Sequence, residues 1–236
     1  MRRARWHAPL LVVLALAGVA GLAVGGFALH AELTRRATAA EAAAAGRAEI
    51  ATRWQRLPAG RLFPASISYL SPGKQQTTAL RVGIAPATSC ASGLDATAEE
   101  IVRPHGCRTV LRATYSDESG SLAVTVGIVV LPNTPAAQSV ASDLTTQPPP
   151  TGVRVVSFPE TRAAGYGEAQ RGWFRAAAGN GPYVFLYAAG FTDGRRGQGI
   201  FELTTGPGHL ANAVLNRLIT ELTGGGAPCS RADIRC

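Results

Sequence analysis

The chain begins with its longest apolar stretch: residues 8–29 contain no ionisable side chain. As a helix they would rise about 33 Å, enough for a hydrocarbon core of about 30 Å, and they predict a transmembrane segment. Residues 30–60 read differently. They are Ala-rich with scattered Glu and Arg, and Gly46 is the only glycine before Pro58 and Gly60. This composition predicts a helical stalk that Pro58 and Gly60 end, reaching about 40 Å if it continues straight. Leu33, Ala37, Ala40, Ala44, Ala51 and Trp54 approximate a heptad seam. Arg47 interrupts it, which favours a solvated single helix over a coiled coil.

Residues 61–236 then alternate between strand and helix periods. Phe63, Ala65, Ile67 and Tyr69, and then Leu80, Val82 and Ile84, recur at every second position. They predict two strands joined at Ser71-Pro72-Gly73-Lys74, read as a type II turn. A short helix is expected over residues 95–102. Residues 109–115 and 122–131 form the clearest hairpin, and the second strand is apolar on both faces, which places it centrally. Thr134 as cap and Pro135 open a helix with Ala136, Ala137, Val140, Ala141 and Leu144 on one face. Pro148, Pro149 and Pro150 stop it before a strand over residues 153–158. A second hairpin, 171–177 with 183–191, turns at Gly179-Asn180-Gly181. Leu210, Val214, Leu218 and Leu222 mark a last helix. Hairpins with segregated helices predict an α+β domain, an antiparallel sheet with helices packed on one face.

Charge gives the apolar segment an orientation. Arg2, Arg3 and Arg5 precede it and outnumber Arg35 and Arg36 beyond it, while Trp6 suits the headgroup region. Residues 1–7 are therefore expected in the cytoplasm and residues 30–236 outside the cell. Cleavage after Gly18-Val19-Ala20 would leave an apolar end on the mature chain, so the segment reads as a retained anchor rather than a signal peptide. Ala17, Gly21 and Gly25 share a helix face and give a weak case for a homodimer within the lipid. The whole chain has 23 Lys and Arg against 15 Asp and Glu, a net charge of +8. Lys74 is the sole lysine, a coding bias that weakens any reading of the arginines as phosphate-recognition residues. Outside the cell, nucleic acid is excluded as a partner, whereas an envelope protein or acidic envelope polymer suits the remaining excess of positive charge.

Four cysteines, Cys90, Cys107, Cys229 and Cys236, read as two disulfides in an exported domain, and proximity favours Cys90–Cys107 with Cys229–Cys236. Cys90, His105 and Cys107 fit no zinc spacing and lack a fourth ligand, so no metal is expected. Ser71-Pro72-Gly73-Lys74 matches the Ser-x-x-Lys signature of penicillin-binding serine enzymes, but that chemistry needs a helical turn, which Pro and Gly oppose. His105 and His209 are the only histidines beyond the membrane boundary, and no nucleophile elbow accompanies them. Glu99 and Glu100 are adjacent and point apart on a helix. In Asp193-Gly194-Arg195-Arg196-Gly197-Gln198-Gly199, glycines and arginines could together hold an anion. Residues 200–203 read as extended, so the loop lacks the context of a nucleotide fingerprint, and no cofactor is expected.

This plan of Arg-flanked apolar span, paired cysteines and strand pattern resembles that of single-pass membrane proteins of high-GC actinobacteria. It also resembles, in architecture alone, the extracytoplasmic sensor domains of actinobacterial receptor kinases, which combine an antiparallel sheet, helices and two disulfides. No kinase domain is present and no functional residue is carried over. The sequence thus predicts a membrane-anchored binding, sensory or accessory protein of the cell envelope with no catalytic residue assigned. A cell-envelope enzyme whose site is dispersed along the chain is the alternative.

Overall fold

The computed structural model describes residues 7–35, 37–148, 151–197 and 205–224. Helix α1 (His7–Thr34) includes the stretch Val12–Thr34, which is long and apolar enough to cross a membrane and has no buried residue. It does not run on into the stalk. Helix α2 (Ala39–Arg56) starts afresh at a capping box, in which the Thr38 hydroxyl accepts from the Glu41 amide and the Glu41 carboxylate accepts from the Thr38 amide. Arg35 stands between the two helices and pairs with Glu32 at 2.7 Å and Glu41 at 2.6 Å. A single turn, α3 (Ala59–Leu62), follows Pro58.

The chain then forms β1 (Ser66–Leu70), β2 (Gln76–Thr88), α4 (Cys90–Gly93), α5 (Ala96–Val102), β3 (Thr109–Asp117) and β4 (Leu122–Val130). After α6 (Thr134–Thr145) and a long connection come β5 (Arg171–Ala178), β6 (Tyr183–Phe191) and α7 (Gly206–Thr223). Among the described residues the sheet has six strands in the order β1-β2-β3-β4-β6-β5, with every neighbouring pair antiparallel. The α+β class and the antiparallel sheet are therefore present. Asn133, rather than Thr134, caps α6, its Oδ1 accepting from the Ala136 amide at 2.9 Å.

The helices lie on both faces, not one. Val124, Val126, Ile128 and Val130 of β4 and Tyr183, Phe185 and Tyr187 of β6 pack with Leu210, Val214, Leu218 and Leu222 of α7. Val129, Val184 and Leu186 on the opposite face pack with Ala98 and Val102 of α5 and Ala137, Val140 and Leu144 of α6. The cause is in the strands themselves. Because β4 and β6 are apolar at successive positions, leaving either face bare would expose a row of Val, Leu and aromatic side chains to water.

The stalk helix also departs from expectation. Rather than projecting as a solvated rod, α2 lies against the domain, with Ile50 and Trp54 on the α7-side core. Glu49 and Arg53 are each 8% exposed and pair at 2.7 Å. The Arg53 guanidinium also donates to the carbonyls of Leu222 at 3.2 Å and Gly224 at 2.7 Å, covering orphan acceptors at the end of α7. Tyr183 donates its hydroxyl hydrogen to the Ile50 carbonyl at 2.5 Å.

Two further local expectations change. In the β1–β2 connection Lys74, not Gly73, takes positive φ (58°), and its amide donates to the Ser71 carbonyl, so the turn is not type II. Residues 153–158 form no strand in the sheet; their one bridge joins Val153 to Leu94. They run as a strap over the α5–α6 face, with Val153 seated on Gly127 and Phe158 on Gly83. Thr114 and Thr125, both buried, meet at 2.9 Å and satisfy the strap backbone: Thr114 donates to the Val156 carbonyl at 2.7 Å, and Thr125 accepts from the Val156 amide at 3.2 Å.

Candidate functional site

The densest charged arrangement sits where the strap meets the loop between Cys90 and Cys107. Arg171, the first residue of β5, donates to Asp95 through two nitrogens, at 2.6 and 3.0 Å, and pairs through Nε with Glu168 at 2.7 Å. Its side chain is 10% exposed, and its Nη1 also reaches the Val153 carbonyl at 3.1 Å. Asp95 in turn accepts from the Gly152 amide at 2.9 Å, and Glu168 from the Val155 amide at 2.7 Å. Each carboxylate thus ties the strap backbone to the same guanidinium. Burial alone would lower the Arg171 pKa; the Asp95 hydrogen bonds and the charges of Asp95 and Glu168 outweigh it and raise the value.

Two more arginines complete the cluster. Arg154, in the strap, donates its amide to the Gly93 carbonyl at 3.0 Å and its Nε to the Leu94 carbonyl at 2.6 Å. Arg112, on β3 beneath, reaches the Arg154 carbonyl with Nη1 at 3.3 Å, while its buried Nε has no partner among the described residues. Burial lowers the Arg112 pKa, and the Arg154 charge adds to the effect against the opposing pull of Glu168. The five residues span positions 95 to 171, and no local motif joins them; sequence reading missed the cluster for that reason.

Residues singled out from sequence fall elsewhere. Cys90 and Cys107 stand at disulfide distance, with Cα atoms 6.4 Å apart, and enclose α4, Asp95 and α5. Cys229 and Cys236 lie outside the described residues, as do residues 200–203. Among the described residues no three His, Cys, Asp or Glu side chains converge as a metal site. Arg195 is engaged within its own loop: its Nε contacts both Asp193 oxygens, at 2.8 and 3.0 Å, and its guanidinium stacks 4.1 Å from the Phe191 ring centre. The hydrogen bonds from Arg195 hold the Asp193 carboxyl below its usual range. Arg196 is exposed.

Ser71 and Lys74 sit in the β1–β2 turn, without the helical geometry of a Ser-x-x-Lys nucleophile. His105 ends a short 3-10 turn and His209 lies in the first turn of α7, and among the described residues neither imidazole forms a hydrogen bond to an acid or hydroxyl. Glu99 pairs with Arg103 at 3.3 Å, while Glu100 is exposed. A separate cleft of 200 Å³ opens between α2 and the sheet end, lined by Arg47, Ile50, Thr134, Asn180 and Gly181. Compared with family models, curated proteins and solved structures, the chain matches none.

Proposed function

We propose that the chain is a single-pass, membrane-anchored binding or accessory protein of the cell envelope, with a cytoplasmic N-terminus and the α+β domain outside. The observation that supports it best is the combination, in one chain, of a wholly exposed apolar helix and a domain with Cys90 and Cys107 at disulfide distance. A disulfide persists in an oxidising compartment, and the arginines at positions 2, 3 and 5 favour the cytoplasmic side for the short end. Binding is favoured over catalysis because Asp95 and Glu168 are both engaged by Arg171. Acidic polymers or envelope proteins are the partners that a basic outer domain suits.

Protease added to intact spheroplasts tests the placement. Digestion of a C-terminally tagged chain to a short membrane-protected fragment is the expected result. Full protection until the membrane is broken would place the domain inside and remove the proposal.

A further inference from the structure

We propose that Arg112 and Arg154 form a binding site for one oxyanion, the carboxylate or phosphodiester group of an acidic envelope polymer. The inference deepens the binding reading and rests on it for the source of the anion. Its basis is a charge imbalance held in fixed geometry. Three guanidiniums, Arg112, Arg154 and Arg171, share a cluster with two carboxylates, and Arg171 engages both of these, Asp95 by two hydrogen bonds and Glu168 by its Nε. No ion pair to a carboxylate is formed by Arg112 or Arg154 among the described residues.

What holds them is backbone instead: Arg112 makes one long bond of 3.3 Å to a carbonyl, and Arg154 uses only Nε, toward Leu94. The terminal nitrogens not used in this way, Nη2 of Arg112 and the Nη pair of Arg154, are left for a ligand. The Arg112 Nε, itself closed to solvent, has no acceptor among the described residues, so the protein's own groups leave this guanidinium under-satisfied. Burial lowers the Arg112 pKa foremost, and the charge of Glu168, which raises it, is shared with Arg171.

The site is also pre-organised. Val156 is pinned by Thr114 and Thr125, and Gly152, Val153 and Val155 by Asp95, Arg171 and Glu168, so the backbone that carries Arg154 is fixed against the Arg112 guanidinium before any ligand arrives. One negative charge neutralises the cluster, which points to a monoanionic group. Two planar forks suit the paired oxygens of a carboxylate or phosphodiester. Arg195, by contrast, already has its carboxylate in Asp193.

The test uses the full-length protein in detergent at physiological ionic strength, titrated with digalacturonate as the carboxylate probe and glycerophosphoglycerol as the phosphodiester probe. Saturable binding is expected, weakened at least about tenfold in R112Q/R154Q and in the single variant R154Q, whose side chain is exposed and whose fold is readily checked by circular dichroism. R195Q/R196Q should bind like the unaltered protein. Response to one probe alone identifies the group recognised. Failure of the unaltered protein to bind either probe saturably, or equal weakening in both double variants, would overturn the site. Neither result bears on which side of the membrane the domain occupies.

Discussion

Asp95 and Arg171 show why single side chains matter here out of proportion to their number. Their side chains are 15% and 10% exposed, so removing one leaves the other charged in a poorly hydrated place. Asp95→Ala is expected to lower unfolding free energy by about 3–5 kcal/mol. In a double-mutant cycle with Arg171→Met, measured by urea denaturation, the paired change should cost clearly less than the two single changes together. Additive losses would mean that the pair does not act as a unit. Tyr187 presents the opposite case: it is fully buried and its hydroxyl has no partner among the described residues. Tyr187→Phe should leave stability unchanged or raise it by up to about 1 kcal/mol in the same assay, because no hydrogen bond is lost with the oxygen. Neither residue announces its state in the sequence. Asp95 reads as the first residue of a short helix and Tyr187 as one more strand aromatic.

Elements were legible where their signal is local. The face of α7 and the two hairpins follow from spacing within a few residues, and they stand where the pattern placed them. Residues 153–158 read as a strand because four of the six, Val153, Val155, Val156 and Phe158, are apolar; Val153 is buried on Gly127 and Phe158 half-buried on Gly83, both far away in the chain, and not through a strand partner. Helix α2 misled for another reason. Glu49 and Arg53 look like a solvated face, yet Arg53 spends its donors on Glu49 and on the end of α7, a partnership that no local pattern encodes. The strap reading gives a direct prediction. A Cβ at Gly83 would lie 2.3 Å from the Phe158 ring, and one at Gly127 would lie 2.7 Å from Val153. Gly83→Ala and Gly127→Ala should each destabilise by about 1–3 kcal/mol and speed hydrogen exchange across residues 151–158. Gly60→Ala, with nothing within 4 Å, is the control and should do neither.

At the scale of the whole molecule, the buried aromatic core sets an alkaline limit. The chain has five tyrosines, and burial foremost raises the pKa of each: Tyr69, Tyr183 and Tyr187 to about 12, Tyr115 and Tyr166 beyond that. Below a pH of about 10 both folded and unfolded states keep these protons. As pH rises further, the unfolded chain loses them first, so stability falls from about pH 10 upward and is lost progressively through the folded values. Phenolate absorbance at 295 nm should therefore appear together with loss of far-ultraviolet circular dichroism. Independent titration near pH 10 in a folded protein would contradict the packing. The proposed placement has an anchor helix in the membrane and a disulfide-bearing domain beyond it, outside the cell. Labelling intact cells with a membrane-impermeant thiol reagent, before and after reduction, tests it most directly. Cys90 and Cys107 should be labelled only after reduction, without lysis; free thiols that react only once the cells are broken would place the domain inside.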